Sequence, residues 1–145
     1  MTNPTALKFG YPRTQVAETP HWLVLVRPQQ PTLGSLVLVC KDAAGAFSEL
    51  SPEAFADLKT AVDGIERLLT GFVGYERINY LMLMMVDRDV HFHVIPRYEG
   101  ARERDGVSYP DAGWPAQPNL GAHVALDDGE AAALAAELAA RWTGA

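Results

Sequence analysis

Apolar residues follow two different periods along the chain. Short branched runs occupy His21-Trp22-Leu23-Val24-Leu25-Val26-Arg27 and Ser35-Leu36-Val37-Leu38-Val39-Cys40-Lys41, with Pro28, Pro31 and Gly34 between them. Runs of this kind, bounded by turn residues, predict two strands. Their near-continuous apolar character predicts cover on both faces. From Ser51 the period changes. Ser51 can cap a helix that begins at Pro52, where a missing N–H costs nothing. Phe55, Leu58, Val62, Ile65 and Leu69 then recur at intervals of three and four, which predicts one apolar stripe on a helix ending near Gly71 and Gly74. Ile78 to Val86 predicts a central strand with Met82, Met84 and Met85 as core filler. Asp87-Arg88 supplies a turn, and Asp89 to Arg97 predicts the next strand. Residues 99–121 carry glycines, prolines, charges, Tyr109 and Trp114. They predict a long loop of the sort that closes over a site or reaches a partner subunit. Asp127 and Glu130 form a capping pair for a last helix over 127–143, on which Leu134, Leu138 and Trp142 recur every fourth residue. The first 20 residues, punctuated by Pro4, Pro12 and Pro20, predict an arm or short strand. The order strand, strand, helix, strand, strand, helix implies an α+β fold, an antiparallel β-sheet with packed helices.

A chain of 145 residues, 48% hydrophobic, suits a single domain over 1–145 with a core of its own. The single cysteine, Cys40, forms no internal disulfide and supplies no multi-cysteine metal site, which fits a reducing compartment. Twelve basic against eighteen acidic residues give a net charge of -6. That balance argues against a nucleic-acid partner held by phosphate neutralisation, but not against a pocket for one nucleotide. No apolar run approaches the ~20 residues needed to cross a bilayer, and no signal peptide is visible. A cytoplasmic protein without a membrane partner is expected.

Candidate chemistry concentrates in Asp89-Val90-His91-Phe92-His93-Val94-Ile95-Pro96-Arg97. Residues two apart on a strand share a face, so Asp89, His91 and His93 are expected on one face, with Val90, Phe92 and Val94 turned to the core. Two chemistries suit such a trio. Histidines with a carboxylate can ligate a metal, although only His21 and His123 remain as further histidines. Alternatively, one imidazole nitrogen attacks as a nucleophile while the other is held by a hydrogen bond.

The run His91-Phe92-His93-Val94-Ile95-Pro96-Arg97 resembles the second half of the histidine-triad signature, in which histidines alternate with apolar residues. Gly34-Ser35-Leu36-Val37-Leu38-Val39-Cys40-Lys41 is similar to that family's Gly-His-Val-Leu-Val-Ile-Pro-Lys strand, and Ser48-Glu49-Leu50-Ser51-Pro52-Glu53 to its Asp-Leu-Ser-Pro-Glu helix start. The resemblance spans roughly Trp22 to Arg97. It implies a nucleotidyl hydrolase or transferase acting at the α-phosphate of adenosine-type nucleoside phosphates, dinucleoside polyphosphates or other adenylates, working as a homodimer on a small-molecule nucleotide with no cofactor and no metal. His91 occupies the nucleophile's position and His93 that of the histidine that contacts the phosphate or helps hold the site.

The chain departs from the family pattern at several positions. Asp89 stands where the first histidine belongs, and Ser35 stands in place of a histidine. Arg27 lies where many members carry an aspartate that holds the ribose. Met84, Met85 and Val86 fill the place of a phosphate loop, and Asn79 lies one residue nearer the motif than the family asparagine. An ionised Asp89 ~7 Å from the nucleophile repels phosphate by about 1 kcal/mol or less. The loss of a phosphate-binding donor is worth 10²–10³ in rate. Arg27, Arg88, Arg97, Arg102 and Arg104 are candidate replacements, Arg97 foremost among them, with Asn79 and Ser35 as further nucleotide contacts.

Overall fold

The computed structural model describes residues 3–143. Five strands form one antiparallel sheet: β1 (Gln15–Glu18), β2 (Trp22–Val26), β4 (Leu36–Cys40), β5 (Arg77–Leu81) and β6 (His91–Arg97), in the order β1-β2-β4-β6-β5. Two small ribbons flank it, one pairing β3 (Gln29–Gln30) with β9 (Val124–Ala125), the other pairing β7 (Ala101–Arg104) with β8 (Val107–Pro110). Helices α1 (Pro4–Lys8), α2 (Pro52–Phe72) and α3 (Asp128–Arg141) complete the α+β architecture. The two apolar runs become β2 and β4 within a residue of their expected limits, paired from Trp22↔Cys40 to Val26↔Leu36.

Strand alternation divides the apolar residues between the sheet's two faces. Trp22, Val24, Val26, Leu36, Leu38, Cys40 and Val94 share a core with α2 and α3, where the Trp22 indole donates to the Ala54 carbonyl at 2.9 Å. Leu23, Leu25, Val37 and Val39 face the other way and pack with Ala6, Phe9 and Tyr11 of the N-terminal arm. Both faces of β2 and β4 are therefore covered.

Both long helices are capped as expected. Ser51 accepts from the Ala54 N–H at 3.0 Å, and Asp127 and Glu130 bond reciprocally. The buried face of α2 is rotated from the expected stripe. Ala54, Ala61, Ile65, Leu68 and Leu69 are buried, Leu58 and Val62 are partly so, and Phe55 is exposed. Phe55 lies instead against Phe47, with ring centroids 5.3 Å apart. Gly71 lies inside α2, and Gly74, at φ +57°, follows its end. Trp142 lies one residue past α3, as its cap.

Four expectations for the connections are corrected. The first is the N-terminal arm, which contains a helix as well as a strand: Asn3 accepts from the Ala6 N–H at 2.9 Å and Pro4 begins α1. Second, β5 ends at Leu81, the last residue with a partner on β6. Met84 then adopts φ +52° and the chain leaves the sheet, so Met82 and Met84 pack against the core as expected while Met85, with Val86, is exposed. Third, β6 starts at His91, leaving Asp89 just outside it. The fourth correction concerns residues 99–121, whose first part is the β7–β8 hairpin. Its turn, Asp105-Gly106, has both residues at positive φ (52° and 76°), the pair that a two-residue hairpin turn demands.

Arg97 and Asp111 hold this hairpin and the loop after it to the sheet. The Arg97 guanidinium donates from Nε and Nη2 to the two Asp111 oxygens at 2.7 and 3.0 Å, and from Nη2 to the Ala116 carbonyl at 2.8 Å. Both side chains are buried. Tyr98 reinforces the junction by donating its hydroxyl to the Tyr109 carbonyl and accepting from the Leu33 N–H. Removing one member of a buried ion pair strands the other, at a cost of about 3–5 kcal/mol. Asp111→Ala is therefore expected to lower unfolding free energy by about that amount, measured by urea denaturation. A loss of under about 1 kcal/mol, the usual worth of an exposed pair, would show that the pair does not hold the loop.

Candidate active site

The register of β6 places its histidines. His93 pairs with Val37 of β4 and Leu81 of β5, and His91 pairs with Val39, so both imidazoles point to the sheet face away from α2 and α3. They lie side by side, centroids 5.2 Å apart and planes at 82°. Phe9, just after α1, lies 6.4 Å from the His91 ring and 5.8 Å from the His93 ring. The arm thus covers what the alternation of residues alone leaves open, and both histidines are buried. A cavity of about 230 Å³ reaches them. Lys8 and Arg27 line one side, and the exit segment of Leu83, Met84, Met85 and Val86 lines another.

Each imidazole gives one nitrogen to the protein, and the partner fixes the tautomer. His91 Nδ1 lies 2.7 Å from the Asp89 carbonyl. A carbonyl only accepts, so Nδ1 carries the proton and Nε2 of the neutral ring keeps its lone pair. For His93 the relation is reversed: Nδ1 accepts from Arg27 Nε–H at 3.3 Å, so in the neutral ring Nε2 is the donor. Burial, then the Arg27 cation, then His91 pull the His93 pKa down from 6.5 to about 4. His93 is accordingly neutral near pH 7. The pair presents one nitrogen that accepts and one that donates.

The remaining expected residues separate into two groups. Arg27 reaches the site: it is 8% exposed, bonds His93, and donates from Nη1 to the Gln29 carbonyl at 2.8 Å. Asp89 supports it from behind. Its carbonyl holds His91, while its carboxylate accepts from the Thr5 hydroxyl at 2.9 Å and the Thr5 N–H at 3.2 Å. The carboxylate is thus tied to α1 instead of lying in register with the histidines on the strand. Asp89, His91 and His93 do not converge on a metal position, and among the described residues no group of three or more His, Cys, Asp or Glu does so. Ser35 is buried and closes its own turn, donating to the Thr32 carbonyl at 2.8 Å. Arg97 is taken up by Asp111, Ala116 and the Asn79 side-chain oxygen. Arg102 donates to the Val73 carbonyl and Arg104 to Glu137. His21 pairs with Asp42, and His123 with the Leu120 carbonyl. Trp114, Asn79 and Arg97 line a different cavity, of about 600 Å³, so the 99–121 segment does not roof the histidines.

The sequence reading missed Lys8 and Phe9. Lys8 bridges from α1 to Asp87 at 3.0 Å. The Asn3-Pro4 pair, a cap followed by a first-turn proline, was the available signal for a helix there.

No family model and no curated protein matches this sequence, whereas solved structures do. A histidine triad protein of Sinorhizobium meliloti superposes with a TM-score of 0.70 at 22% identity, over 94% of this chain and 93% of that one. The Plasmodium falciparum diadenosine triphosphate hydrolase gives 0.65 at 11% identity, over 89% and 76%. The NitFhit protein of C. elegans gives 0.65 at 17%, over 89% of this chain, which spans only 27% of that longer protein. The sheet order, the helices and the paired histidines on β6 together give this chain the histidine-triad fold.

Proposed function

We propose that this chain is a nucleotidyl hydrolase or transferase of the histidine-triad family, acting at the α-phosphate of an adenosine-type nucleoside phosphate through a nucleotidyl-histidine. The observation that carries this reading is the bond from His91 Nδ1 to the Asp89 carbonyl, which makes Nε2 the nitrogen with the lone pair in the neutral ring. His91 Nε2 attacks phosphorus and forms a P–N bond as the bond to the leaving group breaks. The leaving group departs with that electron pair. Water then attacks the same phosphorus, the P–N bond breaks, and Nε2 regains its lone pair as the nucleotide leaves. His93 Nε2–H and Arg27 are the donors placed to meet the charge on the phosphoryl oxygens. Asp89 is a positioning residue that acts through its carbonyl. Homodimerisation belongs to the same reading.

A second reading, a nucleotide-binding protein of the same fold with little catalysis, is favoured by the apolar exit segment. Leu83, Met85 and Val86 are exposed there and offer no side-chain donors. Nucleotide retained tightly but chemically unchanged over hours supports that alternative.

In the enzyme reading, His91→Ala removes the attacking atom while leaving the sheet intact. Turnover of an adenylated substrate is expected to fall by about 10³-fold or more, and the adenylyl adduct seen by mass spectrometry in the parent protein should vanish. Wild-type turnover in this variant would refute the mechanism.

His93 supplies a pH prediction. Its folded pKa of about 4 lies below the unfolded value of 6.5, so between these values the unfolded chain binds the extra proton. Stability contributed by neutral His93 is present above pH 6.5 and is lost as pH falls toward 4. NMR should place the His93 midpoint near 4. Arg27→Gln removes one of the lowering causes and should raise the midpoint, still short of 6.5 because burial remains. A midpoint near 6.5 in the parent protein would contradict this environment.

A further inference from the structure

A nucleotide needs more room than the histidine cavity offers. Sites for small molecules usually measure roughly 300–1,000 Å³, whereas this cavity holds about 230 Å³. The adjoining space on the arm side, lined by Phe9, Arg27 and Pro28, holds about 220 Å³. Its one aromatic ring, Phe9, is already engaged. The Lys8 amine stands over that ring, 5.8 Å from the centroid, and His93 meets it at 79°. A phosphate fits at the histidines, but a nucleoside has to extend beyond them, and the arm side offers no free ring face.

The cavity of about 600 Å³ along β5 has both the size and the position. Leu81, the partner of His93 across the sheet, lines the end nearest the histidines, and Asn79 also lines it. Asn79 lies on the same face, roughly 7 Å further along the strand. Trp114 and Pro115 line the cavity from the loop after β8. An indole stacks with any planar base, since every base has a π-face. Asn79 adds a directed contact. Arg97 Nη1 donates to its side-chain oxygen at 2.8 Å, and a guanidinium only donates, so the amide is fixed with its NH2 turned away. That NH2 has no partner among the described residues and is not buried, which leaves it available to a ligand. An amide donor suits the acceptor nitrogens of a purine.

The loop wall is held in place before any ligand arrives. Buried Arg97 bonds Asp111 and the Ala116 carbonyl, and the Asp111 carbonyl accepts from the Trp114 N–H at 3.2 Å. A side chain at Gly113 would collide with the Gln117 carbonyl, so the turn that carries Trp114 is closed tightly by backbone. A ligand entering here has little chain to order.

We infer that Trp114 and Asn79 form the subsite for the heterocyclic base of the nucleotide, the base stacking on the indole and an acceptor ring nitrogen meeting the Asn79 amide. This rests on the nucleotide reading above. It sends the base along β5 and away from the N-terminal arm.

Dissociation constants should be measured by calorimetry for AMP, ribose 5-phosphate and adenosine, using the full chain and its Trp114→Ala, Trp114→Phe and Asn79→Asp variants. The parent protein is expected to bind AMP about tenfold or more tightly than ribose 5-phosphate, the usual value of one stacked base. Trp114→Ala should shrink that ratio to about threefold or less by weakening AMP alone, while Trp114→Phe, which still stacks, should keep most of it. Asn79→Asp still accepts from Arg97 but has no NH2, and should lower the ratio about threefold or more. A ratio near one in the parent, or one that Trp114→Ala leaves unchanged, overturns the subsite. So does an equal weakening of both ligands by Trp114→Ala, or an equal loss in Trp114→Phe. An unchanged ratio in Asn79→Asp overturns the role of Asn79. In each of these cases an adenylyl adduct on His91 keeps the nucleotide reading standing. If adenosine binds as tightly as AMP, and Trp114→Ala abolishes that binding, the subsite stands and the nucleotide reading falls. If nothing binds, both fall.

Discussion

Two imidazoles buried side by side must each give up a ring nitrogen to a protein partner, and much of this molecule is organised around how they do so. A buried polar atom without a partner costs about 1–3 kcal/mol, so neither ring can be left to itself. His91 is met by the Asp89 carbonyl, which is available because the chain bends out of the sheet before β6. Asp89 is held in that bend by Thr5. The arm that supplies Thr5 is in turn tied to β4, since Asn3 Nδ2 donates to the Cys40 carbonyl at 3.0 Å. One hydrogen bond at His91 thus depends on a helix more than 80 residues away in sequence.

That dependence explains why the site was legible only in part. The alternation of apolar and polar residues in Asp89–Arg97 reveals a strand with two histidines on one face, because the period of a strand is local. The paired runs of β2 and β4 and the caps Ser51 and Asp127 are equally local and stand where the sequence puts them. What covers the histidine face is not local. Phe9 arrives from an arm whose only advance signal is Asn3-Pro4, and Arg27 reaches His93 from the end of β2. Ser35 and Arg97 illustrate the opposite failure. Both are polar residues at positions that resemble a nucleotide site, and tertiary partners, Thr32 and Asp111, consume them. Nothing in the sequence near Arg97 identifies Asp111 as its partner, 14 residues downstream across a hairpin.

The hairpin itself was hidden for a different reason. Its strands, Ala101–Arg104 and Val107–Pro110, mix Arg102, Glu103, Arg104 and Ser108 with the few apolar residues, so a sustained hydrophobic period that betrays a strand is missing. Turn chemistry was the remaining sign, in Asp105-Gly106. The converse error occurred after Leu81, where a run of methionine and valine looks like strand but lacks a partner. β6 runs on from His93 to His91, but the chain turns away from it after Leu81, with Met84 at positive φ, so the apolar run has no strand partner.

The exposed methionine segment also changes where the phosphate donors must come from. Its side chains offer none to the cavity, so in the proposed reaction the charge of a phosphoryl group would fall to side chains on the rigid sheet. Arg27 is the one expected arginine that the fold delivers there. Its two bonds have separate consequences: Nε settles which nitrogen of His93 donates, and Nη1 fastens the guanidinium to the Gln29 carbonyl. A single residue at the end of β2 therefore acts on both the tautomer and the protonation of the second histidine. An aspartate at position 27 could accept from a ribose but could neither donate to His93 Nδ1 nor attract a phosphate.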